Sequence, residues 1–329
     1  MSNETFMITG AMGCIGAWTI RNLVQAGVKV IATDLATEPP PGGSRPRQVM
    51  SAEELAQVTF VKLDVTDLKA VRSVVEENGI THIVHLAGLQ VPFCRANPSL
   101  GAAVNVVGTV NIFEAARHAG IKGLAYASSL AVLGPAEDYP EGPVEDDVPL
   151  LPRTLYGVYK AANEGTARVY WQDWQVGSVG LRPYIVYGVG RDQGMTSDLA
   201  KAVLATAAGR PYHVRFNGPV GLQHANDVAQ MFIGCARAQY QGAAACNLRN
   251  DIVTVADYVA MLQAEAPDAQ ITCADNNPLP FPWDLDDGGL RQILGGMPWT
   301  PIQQAIKQDL AQFRCLLAEG LIDLKQLEN

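Results

Sequence analysis

The sequence lacks the close pairs of cysteine and histidine that hold metal ions. None of its six cysteines forms a CxxC pair, and its five histidines have no metal-ligand spacing with one another or with the cysteines. A metal centre needs such groups close together, so we expect none. A chain of 329 residues needs no disulfide bonds to support a small core, so the cysteines are expected to be reduced and mostly buried.

Positive charge and long apolar runs are also scarce. The chain carries 24 lysines and arginines against 33 aspartates and glutamates, which gives a net charge of −9 at pH 7. This balance argues against a nucleic acid or an anionic membrane as partner. No apolar run approaches the length that spans a bilayer, and Met1 leads almost directly into the first predicted strand, which leaves no room for a signal peptide. We therefore expect a cytoplasmic protein.

Hydrophobic residues make up 48% of the chain and follow alternating strand and helix patterns as far as Tyr187. A chain of this size and composition can bury a large core. Strands that alternate with crossover helices predict an α/β fold with a Rossmann-type, doubly wound parallel sheet. The predicted strands are 5–9, 29–33, 59–64, 82–86, 124–128 and 176–182, and the predicted helices are 15–26, 67–78, 98–119 and 155–174.

After Tyr187 the alternation of strands and helices becomes less regular, which suggests a second, smaller domain. We predict a first domain over residues 1–187 with a return segment near 218–250, and a C-terminal α/β lid over 188–217 and 251–329 that binds substrate. The segment 38–51 is rich in proline, glycine and arginine and is predicted to be a surface loop. Ligands of doubly wound sheets bind outside the carboxyl ends of the strands, so the site is expected there.

Three glycines lie where the first predicted strand turns into the first predicted helix. Gly10, Gly13 and Gly16 leave backbone N–H groups and the positive end of the helix dipole open to an anion. A Cβ at these positions would hold a pyrophosphate away from the backbone. Glycines are common in loops, so an ordinary turn is the alternative interpretation of this cluster alone.

Asp34 decides between these interpretations, because it ends the next apolar run. A carboxylate there can bind the two ribose hydroxyls of an adenosine and would repel a 2′-phosphate. The glycine loop and Asp34 therefore predict NAD, rather than NADP, as the cofactor. A surface aspartate without a ligand is the alternative.

Tyr156 and Lys160 lie one turn apart at the start of a predicted helix and share a face. A free tyrosine is a poor base at neutral pH, but a nearby ammonium and an oxidised nicotinamide would stabilise its phenolate. Ser129, just past a predicted strand, could hold a substrate hydroxyl or carbonyl against the same tyrosine. Tyr159 competes for the role but is expected to face elsewhere. By chance, such spacing more often marks a packed tyrosine beside a solvated lysine.

Further short motifs accompany these residues through nearly all of the chain. They are Gly10-x-x-Gly13-x-x-Gly16, Asp34, Asp64-Val65, His85-Leu86-Ala87-Gly88, Asn105-Val106-Val107-Gly108-Thr109, Ser128-Ser129, Tyr156-x-x-x-Lys160 and Leu181-Arg182-Pro183. With this combination of motifs, the chain resembles an extended short-chain dehydrogenase/reductase of the NAD-dependent epimerase/dehydratase type. The resemblance also implies a homodimer built from the helices near 98–119 and 155–174.

The resemblance implies a role for each matching residue. Asp64 and Val65 would flank the adenine, Ser129 and Tyr156 would be the catalytic pair, and Lys160 would bind the nicotinamide ribose. The cofactor-binding set that it implies is Gly10, Gly13, Cys14, Ile15, Gly16, Asp34, Asp64, Val65, Leu86, Ala87, Gly88, Asn105, Ser128, Tyr156, Lys160 and Pro183.

Departures from the family pattern narrow the substrate. Dehydratases carry an acidic pair where this chain has Leu130 and Ala131, so no acid is available to remove water. Nucleotide-sugar epimerases have an asparagine in place of Ile185, an arginine in place of Val220, and a second arginine near 275–277. Arginine forks are the groups best suited to a diphosphate. We therefore expect that the lid does not hold a UDP or dTDP group.

The loop before the predicted helix at 198–209 offers candidates for a smaller substrate. Its residues 194–198 are similar to the glycine–threonine loop of the threonine dehydrogenase type, so Arg191, Thr196 and Ser197 could bind a carboxylate or hydroxyls. A helix N-cap formed by Thr196 or Ser197 is an equally good interpretation. Gln90 could also reach substrate, or only tie down its own loop.

Three functions remain open from the sequence. The first is an NAD-dependent dehydrogenase acting on a secondary hydroxyl of a small non-nucleotide sugar, sugar acid or hydroxy acid. The second is a sugar or nucleotide-sugar epimerase, which returns the hydride to the opposite face from tightly bound NAD. The third is a non-catalytic NAD-sensing protein, although such proteins usually lose the tyrosine or the lysine.

Overall fold

The predicted Rossmann-type α/β fold is confirmed. The computed structural model describes residues 4–37 and 44–328. Its strands are β1 Thr5–Thr9, β2 Lys29–Asp34, β3 Thr59–Lys62, β4 His82–His85, β5 Gly123–Ala127, β6 Ser178–Arg182, β7 Ile185–Tyr187, β8 Tyr212–Val214, β9 Pro219–His224, β10 Ala243–Asn247, β11 Asp251–Thr254 and β12 Ile271–Cys273. Seven of them form one parallel sheet in the order β10-β6-β5-β4-β1-β2-β3. The order reverses between β1 and β4, and in such folds that is where ligands bind.

Helices cover both faces of this sheet. They are α1 Cys14–Gln25, α2 Arg45–Val49, α3 Ala52–Leu55, α4 Leu68–Asn78, α5 Val91–Ala96, α6 Pro98–Ala102, α7 Gly108–Ala119, α8 Leu155–Trp174, α9 Asp198–Ala207, α10 Ala225–Arg237, α11 Val255–Glu265, α12 Gly288–Leu294 and α13 Ile302–Ala318. A π-helical stretch, Ala103–Val107, joins α6 to α7, so the helix predicted over 98–119 is continuous but locally widened.

The C-terminal elements share a hydrophobic core with the sheet. Phe6 and Val30, on one face of the sheet, belong to the same buried cluster as Leu199 of α9, Tyr258 of α11 and Phe313 of α13. The other face packs a separate cluster against α4, α7 and α8. Two small sheets, β11-β9-β7 and β12-β8, complete the fold. The C-terminal elements are therefore anchored to the sheet by a continuous apolar interior.

Part of the segment predicted to be a surface loop is helical. Residues 38–43 lie outside the described residues, but α2 covers most of 44–51 and α3 begins directly after it. Pro46 stands in the first turn of α2, and Ser51 forms a capping box with Glu54 at the start of α3. Both are helix-start signals that the proline- and arginine-rich composition obscured.

The stretch 98–119 has its predicted length but is more apolar than expected. It is the one helix in the described part of the chain with the length and composition to cross a membrane, with a mean hydropathy of 1.2. The expectation that no run approaches that length was therefore wrong. Half of the stretch is buried inside the protein, where α7 packs on α4 and α8, which is typical of a core helix.

Candidate functional site

A cavity of about 600 Å³ opens at the carboxyl ends of the central strands. This volume is in the range of small-molecule and cofactor sites. The structure brings nearly all the residues singled out from the sequence to its walls. They are Gly10, Gly13, Cys14, Ile15, Gly16, Asp34, Asp64, Val65, Leu86, Ala87, Gly88, Gln90, Ser128, Ser129, Tyr156, Lys160, Pro183, Arg191 and Thr196.

The glycine loop forms one end of the cavity. Gly10 adopts φ +67°, and a Cβ there would lie 2.7 Å from the backbone nitrogen of Ala87 on the neighbouring strand end. A Cβ on Gly16 would overlap the carbonyl oxygen of Gly10. Gly13 is the N-cap of α1 and offers no side-chain cap, so the first amides of the helix remain open to an anion. This cradle fits the diphosphate of a dinucleotide.

Asp34 is held at the edge of the cavity by the backbone. Its Oδ2 accepts a hydrogen bond from Met12 N at 3.0 Å, and its Oδ1 accepts one from Leu35 N at 2.8 Å. Each carboxylate oxygen keeps a lone pair for a further donor. The carboxylate is thus fixed beside the glycine loop, as binding of an adenosine ribose requires.

Asn105, predicted to bind the cofactor, supports the site from behind and does not line the cavity. It is fully buried, and its Nδ2 donates to the carbonyl oxygens of Leu89 and Gly101 at 3.1 and 3.0 Å. A Cβ on Gly88 would lie 2.7 Å from Asn105 Oδ1, so the loop rests directly on this amide. Asn105 lies on the inward face of its helix and packs against the back of the loop.

A buried chain of hydrogen bonds holds the loop after β4. Thr9 Oγ1 accepts from the backbone nitrogens of Leu86 and Ala87, each at 3.2 Å, and lies 2.7 Å from His85 Nδ1. His85 Nε2 lies 3.0 Å from Thr109 Oγ1. Burial lowers the pKa of His85 to about 3, so the ring is neutral and serves as a structural bridge.

Ser129, Tyr156 and Lys160 meet in the middle of the cavity. Thr154 caps α8 by accepting from Gly157 N at 3.0 Å, which fixes the first turn that carries Tyr156. Lys160 Nζ lies 5.7 Å from the centroid of the Tyr156 ring and donates to the carbonyl oxygen of Ala127 at 2.7 Å. Ser129 Oγ accepts from Ala131 N at 3.2 Å, and the Ser129 side chain lies close enough to Tyr156 to lower the pKa of that tyrosine. The competing Tyr159 donates instead to Pro98 O at 3.0 Å, outside the cavity.

The electrostatics of this trio differ from the sequence-based expectation. Burial raises the pKa of Tyr156, while the nearby Ser129 side chain and the charge of Arg191 lower that pKa. Burial also lowers the pKa of Lys160 to about 8. The raised tyrosine pKa means that its base form at neutral pH depends on further positive charge nearby. Arg191 is thus a source of phenolate stabilisation that the sequence did not indicate.

The hydroxyl of Ser128 is directed into the protein interior and not into the cavity. This hydroxyl is buried and donates to Glu164 Oε1 at 2.5 Å. Glu164 also forms a buried, two-point ion pair with Arg182, at 2.9 and 2.8 Å. Because both partners are satisfied, this network fixes the end of β5, from which Ser129 extends.

The far end of the cavity carries polar atoms without protein partners. Arg191 Nε and Gln90 Oε1 are buried and have no hydrogen-bond partner within residues 4–37 and 44–328. Gly194, with φ +100°, brings the backbone close to both, because its Cβ position lies 2.7 Å from Gln90 Oε1 and 3.1 Å from Arg191 Nη2. Thr196 Oγ1 lies 3.4 Å from Arg191 Nη2. A buried polar group without a partner raises the free energy of the folded protein. Such groups are typical of a site where a ligand supplies the missing partners.

Ser197 does not belong to this group. It is buried outside the cavity lining, and its hydroxyl donates to the carbonyl oxygen of Gly194 at 2.9 Å. It is the N-cap residue of α9, but its side chain makes no capping bond. The hydroxyl instead closes the turn that shapes the loop. In this structure Ser197 therefore supports the loop and does not line the cavity.

The structure adds cavity residues that the sequence did not single out. Tyr184 has a buried hydroxyl with no partner in the described part of the chain, and its ring packs on Phe281 at 6.2 Å between centroids. Arg45 and Asp192 also line the cavity and form an ion pair. Tyr184 directly follows the Leu181-Arg182-Pro183 motif, so its place in the sequence could have indicated a cavity residue. Arg45 had none, because its segment was predicted to be a loop.

Val220 and residues 275–277, where nucleotide-sugar epimerases carry arginines, lie outside the cavity lining. Val220 is buried within β9, and the side chain of Asn277 donates to the carbonyl oxygen of Arg215 at 2.6 Å. Among the described residues, the lysines and arginines on the cavity wall are Arg45, Lys160 and Arg191.

The sequence profile of the NAD dependent epimerase/dehydratase family matches residues 6–262. The chain belongs to this family. NAD is the cofactor of the family, and the glycine cradle with Asp34 fits it. Members of this family are NAD-dependent enzymes that include epimerases and dehydrogenases.

Curated relatives include both characterised and uncharacterised proteins. The chain is 31% identical to a UDP-glucose 4-epimerase of Mycolicibacterium smegmatis over 60% of its own length and 63% of the relative's. It is 32% identical to an uncharacterized protein of Methanocaldococcus jannaschii over 62% and 63%, so both alignments span less than two thirds of the relative. An uncharacterized 37.6 kDa protein of Escherichia coli O111:H- is 27% identical over 94% of the chain and 98% of the relative.

Solved structures resemble the whole chain. A partial-consensus L-threonine 3-dehydrogenase superimposes with a TM-score of 0.81 at 23% identity, covering 94% of this chain and 99% of that one. The NAD complex of a UDP-glucose 4-epimerase from Thermus thermophilus gives a TM-score of 0.77 at 26% identity, with the same coverage. The first likeness shows the fold alone.

Proposed function

We propose that the chain is an NAD-dependent dehydrogenase that oxidises a secondary hydroxyl of a small, non-nucleotide substrate, namely a hydroxy acid or sugar acid. The observation that carries this proposal is Arg191, whose Nε is buried and has no partner among the described residues. Burial lowers the pKa of Arg191, yet the guanidinium stays charged at neutral pH. A substrate carboxylate would satisfy it, while Gln90 Oε1 would accept from a hydroxyl or amine of the same molecule.

The catalytic residues support oxidation of an alcohol. Ser129 orients the substrate oxygen, and Tyr156 removes its proton as the carbon–hydrogen bond breaks. When bound, NAD would supply the hydride acceptor. Lys160 would bind its nicotinamide ribose, as the family resemblance implies; its ammonium lies 5.7 Å from the centroid of the Tyr156 ring and is anchored on Ala127 O.

The small number of unpaired cationic side chains on the cavity wall argues against a nucleotide diphosphate as part of the substrate. Of the three cationic side chains on the cavity wall, Arg45 is paired with Asp192 and Lys160 is bound to Ala127 O. One guanidinium matches one carboxylate, whereas a diphosphate calls for more. The second candidate is a nucleotide-sugar epimerase, which the identity with UDP-glucose 4-epimerases favours. A non-catalytic NAD sensor would have no need of an aligned Ser129, Tyr156 and Lys160.

One experiment separates these candidates. The enzyme is incubated with NAD and a panel of hydroxy acids, sugar acids and neutral sugars, and NADH absorbance is followed. We expect NADH to accumulate with a carboxylate-bearing substrate and little with its amide or ester. Calorimetry with UDP and UDP-glucose is expected to detect no binding in the micromolar range. Micromolar UDP binding with isomer interconversion and no net NADH would instead establish the epimerase.

We also propose that the chain forms a homodimer through α6–α7 and α8. Apolar side chains on these segments stay exposed in the single chain, including Leu100 at 50%, Val107 at 48% and Val158 at 47%. Such a cluster is typical of a protein interface. Analytical ultracentrifugation is expected to give twice the mass of the chain, and Val158→Glu is expected to give the monomer. A monomeric wild type would contradict this proposal.

A further inference from the structure

An ion pair spans the cofactor end of the cavity. Arg45, at the start of α2, donates from Nε and Nη2 to one oxygen of Asp192, at 3.0 and 2.6 Å. Its Nη1 donates to the carbonyl oxygen of Met12 in the glycine loop, at 2.9 Å. Both charged residues line the cavity. The pair therefore connects three separate segments: the glycine loop, α2 and the lid segment after β7.

The lid segment lies directly on the helix that receives the diphosphate. Trp18 Nε1 of α1 donates to the carbonyl oxygen of Val189 at 3.0 Å. Gly190, with φ +89°, is in ordinary contact distance of the same region, because its Cβ position lies 3.7 Å from Arg45 Cβ and 3.8 Å from Cys14 Sγ. Residues 189–192 thus lie beside the N-terminal turn of α1, the end of a helix that attracts phosphate groups.

We propose that Arg45 and Asp192 form a strap across the bound cofactor, which has to open before NAD or NADH leaves. Each side chain is 24% exposed, so the pair is partly shielded from water and from salt. All three hydrogen bonds of the Arg45 guanidinium are to groups on two other segments. Such charge-assisted bonds hold the segments in fixed relative positions. Arg45 and Asp192 are positioning residues here, since they act on the cofactor through the segments they join.

The strap does not depend on which substrate the enzyme uses. It rests on NAD as cofactor and on the contacts of the pair, so it can be tested without turnover. A different role for Arg45, direct binding of the cofactor diphosphate, makes an opposite prediction. In that case Asp192 would compete with the phosphates, and removing its charge would slow cofactor release.

The test measures NADH release from the intact enzyme by stopped-flow fluorescence, with excess NAD as the trap. Arg45→Ala and Asp192→Asn are each expected to speed release about ten-fold, the scale of one lost charge-assisted interaction. The double variant is expected to release NADH no faster than either single one, because both substitutions break the same contact. Raising the salt concentration is expected to speed release from the wild type and to change the variants little.

Matched variants control for general destabilisation. Arg237→Ala removes an ion pair with Glu4, 2.8 Å long, at the opposite end of β1, and is expected to leave release unchanged. The charge swap Arg45→Asp with Asp192→Arg is expected to restore slow release. Release that is unchanged or slower in Asp192→Asn, or additive effects in the double variant, would overturn the strap.

Discussion

Tyr156→Phe is expected to reduce kcat by roughly 10²–10⁴-fold, the usual contribution of a positioned acid–base group. In the proposed mechanism the phenol removes the substrate proton, and phenylalanine keeps the ring that lies near Lys160. Affinity for NAD is therefore expected to change little. Steady-state kinetics with the substrate found by the NADH screen, together with an NAD titration, measures both quantities.

Tyr159→Phe is the matched control for this substitution. Tyr159 is three residues away on the same helix, but its hydroxyl donates to Pro98 O outside the cavity. We expect nearly wild-type kcat from it. Full activity in Tyr156→Phe, or an equal loss in both variants, would remove Tyr156 from its proposed role.

Gly16→Ala is expected to weaken NAD binding by about ten- to a hundred-fold and to lower the thermal midpoint of unfolding. The added Cβ would overlap the carbonyl oxygen of Gly10 and approach the Cα of Ala11 to 3.0 Å. These are backbone atoms, so the loop and α1 must separate to make room. The amides that receive the diphosphate would then move apart. Calorimetric titration with NAD and thermal unfolding measure the two effects.

Gly165→Ala shows why this result would be specific to the loop. Gly165 lies inside α8, and the nearest atom to its Cβ position is the end of the Arg168 side chain at 3.8 Å. Alanine in an open helix position usually stabilises a protein by roughly 0.5–1 kcal/mol. We expect a small gain in stability there and no change in NAD affinity. A Gly16→Ala variant that behaved in the same way would show that the cradle is wider than the structure indicates.

Local signals made the cofactor site predictable. The turn between β1 and α1 needs Gly10 at a positive φ, and the close approach of Gly16 to the loop excludes any side chain. Asp34 ends its strand, and the pairing of parallel strands places it beside the glycine loop. Such requirements concern backbone geometry within a few residues, so they leave a trace in the sequence.

The substrate end was less predictable because its residues come from distant segments. Arg191, Gln90 and Tyr184 meet at one cavity although they lie in three different loops. Asn105 and Ser197 lie outside the cavity lining for the same reason, since only packing decides whether a polar side chain supports a loop or lines a cavity. The helix at Arg45 was hidden by a composition that is typical of loops.

The sequence by itself determined the fold, the family and the cofactor, because the alternation of strands and helices and the short motifs at their junctions are local features of the chain. Tertiary structure alone decided which polar groups remain unpaired inside the cavity and which are neutralised by a neighbour. Arg45 and Arg191 are the same residue type, yet Asp192 pairs the first while the Nε of the second is left without a partner in the described residues. That difference arises from how the lid segment packs on α1 and α2, a contact between parts of the chain far apart in sequence.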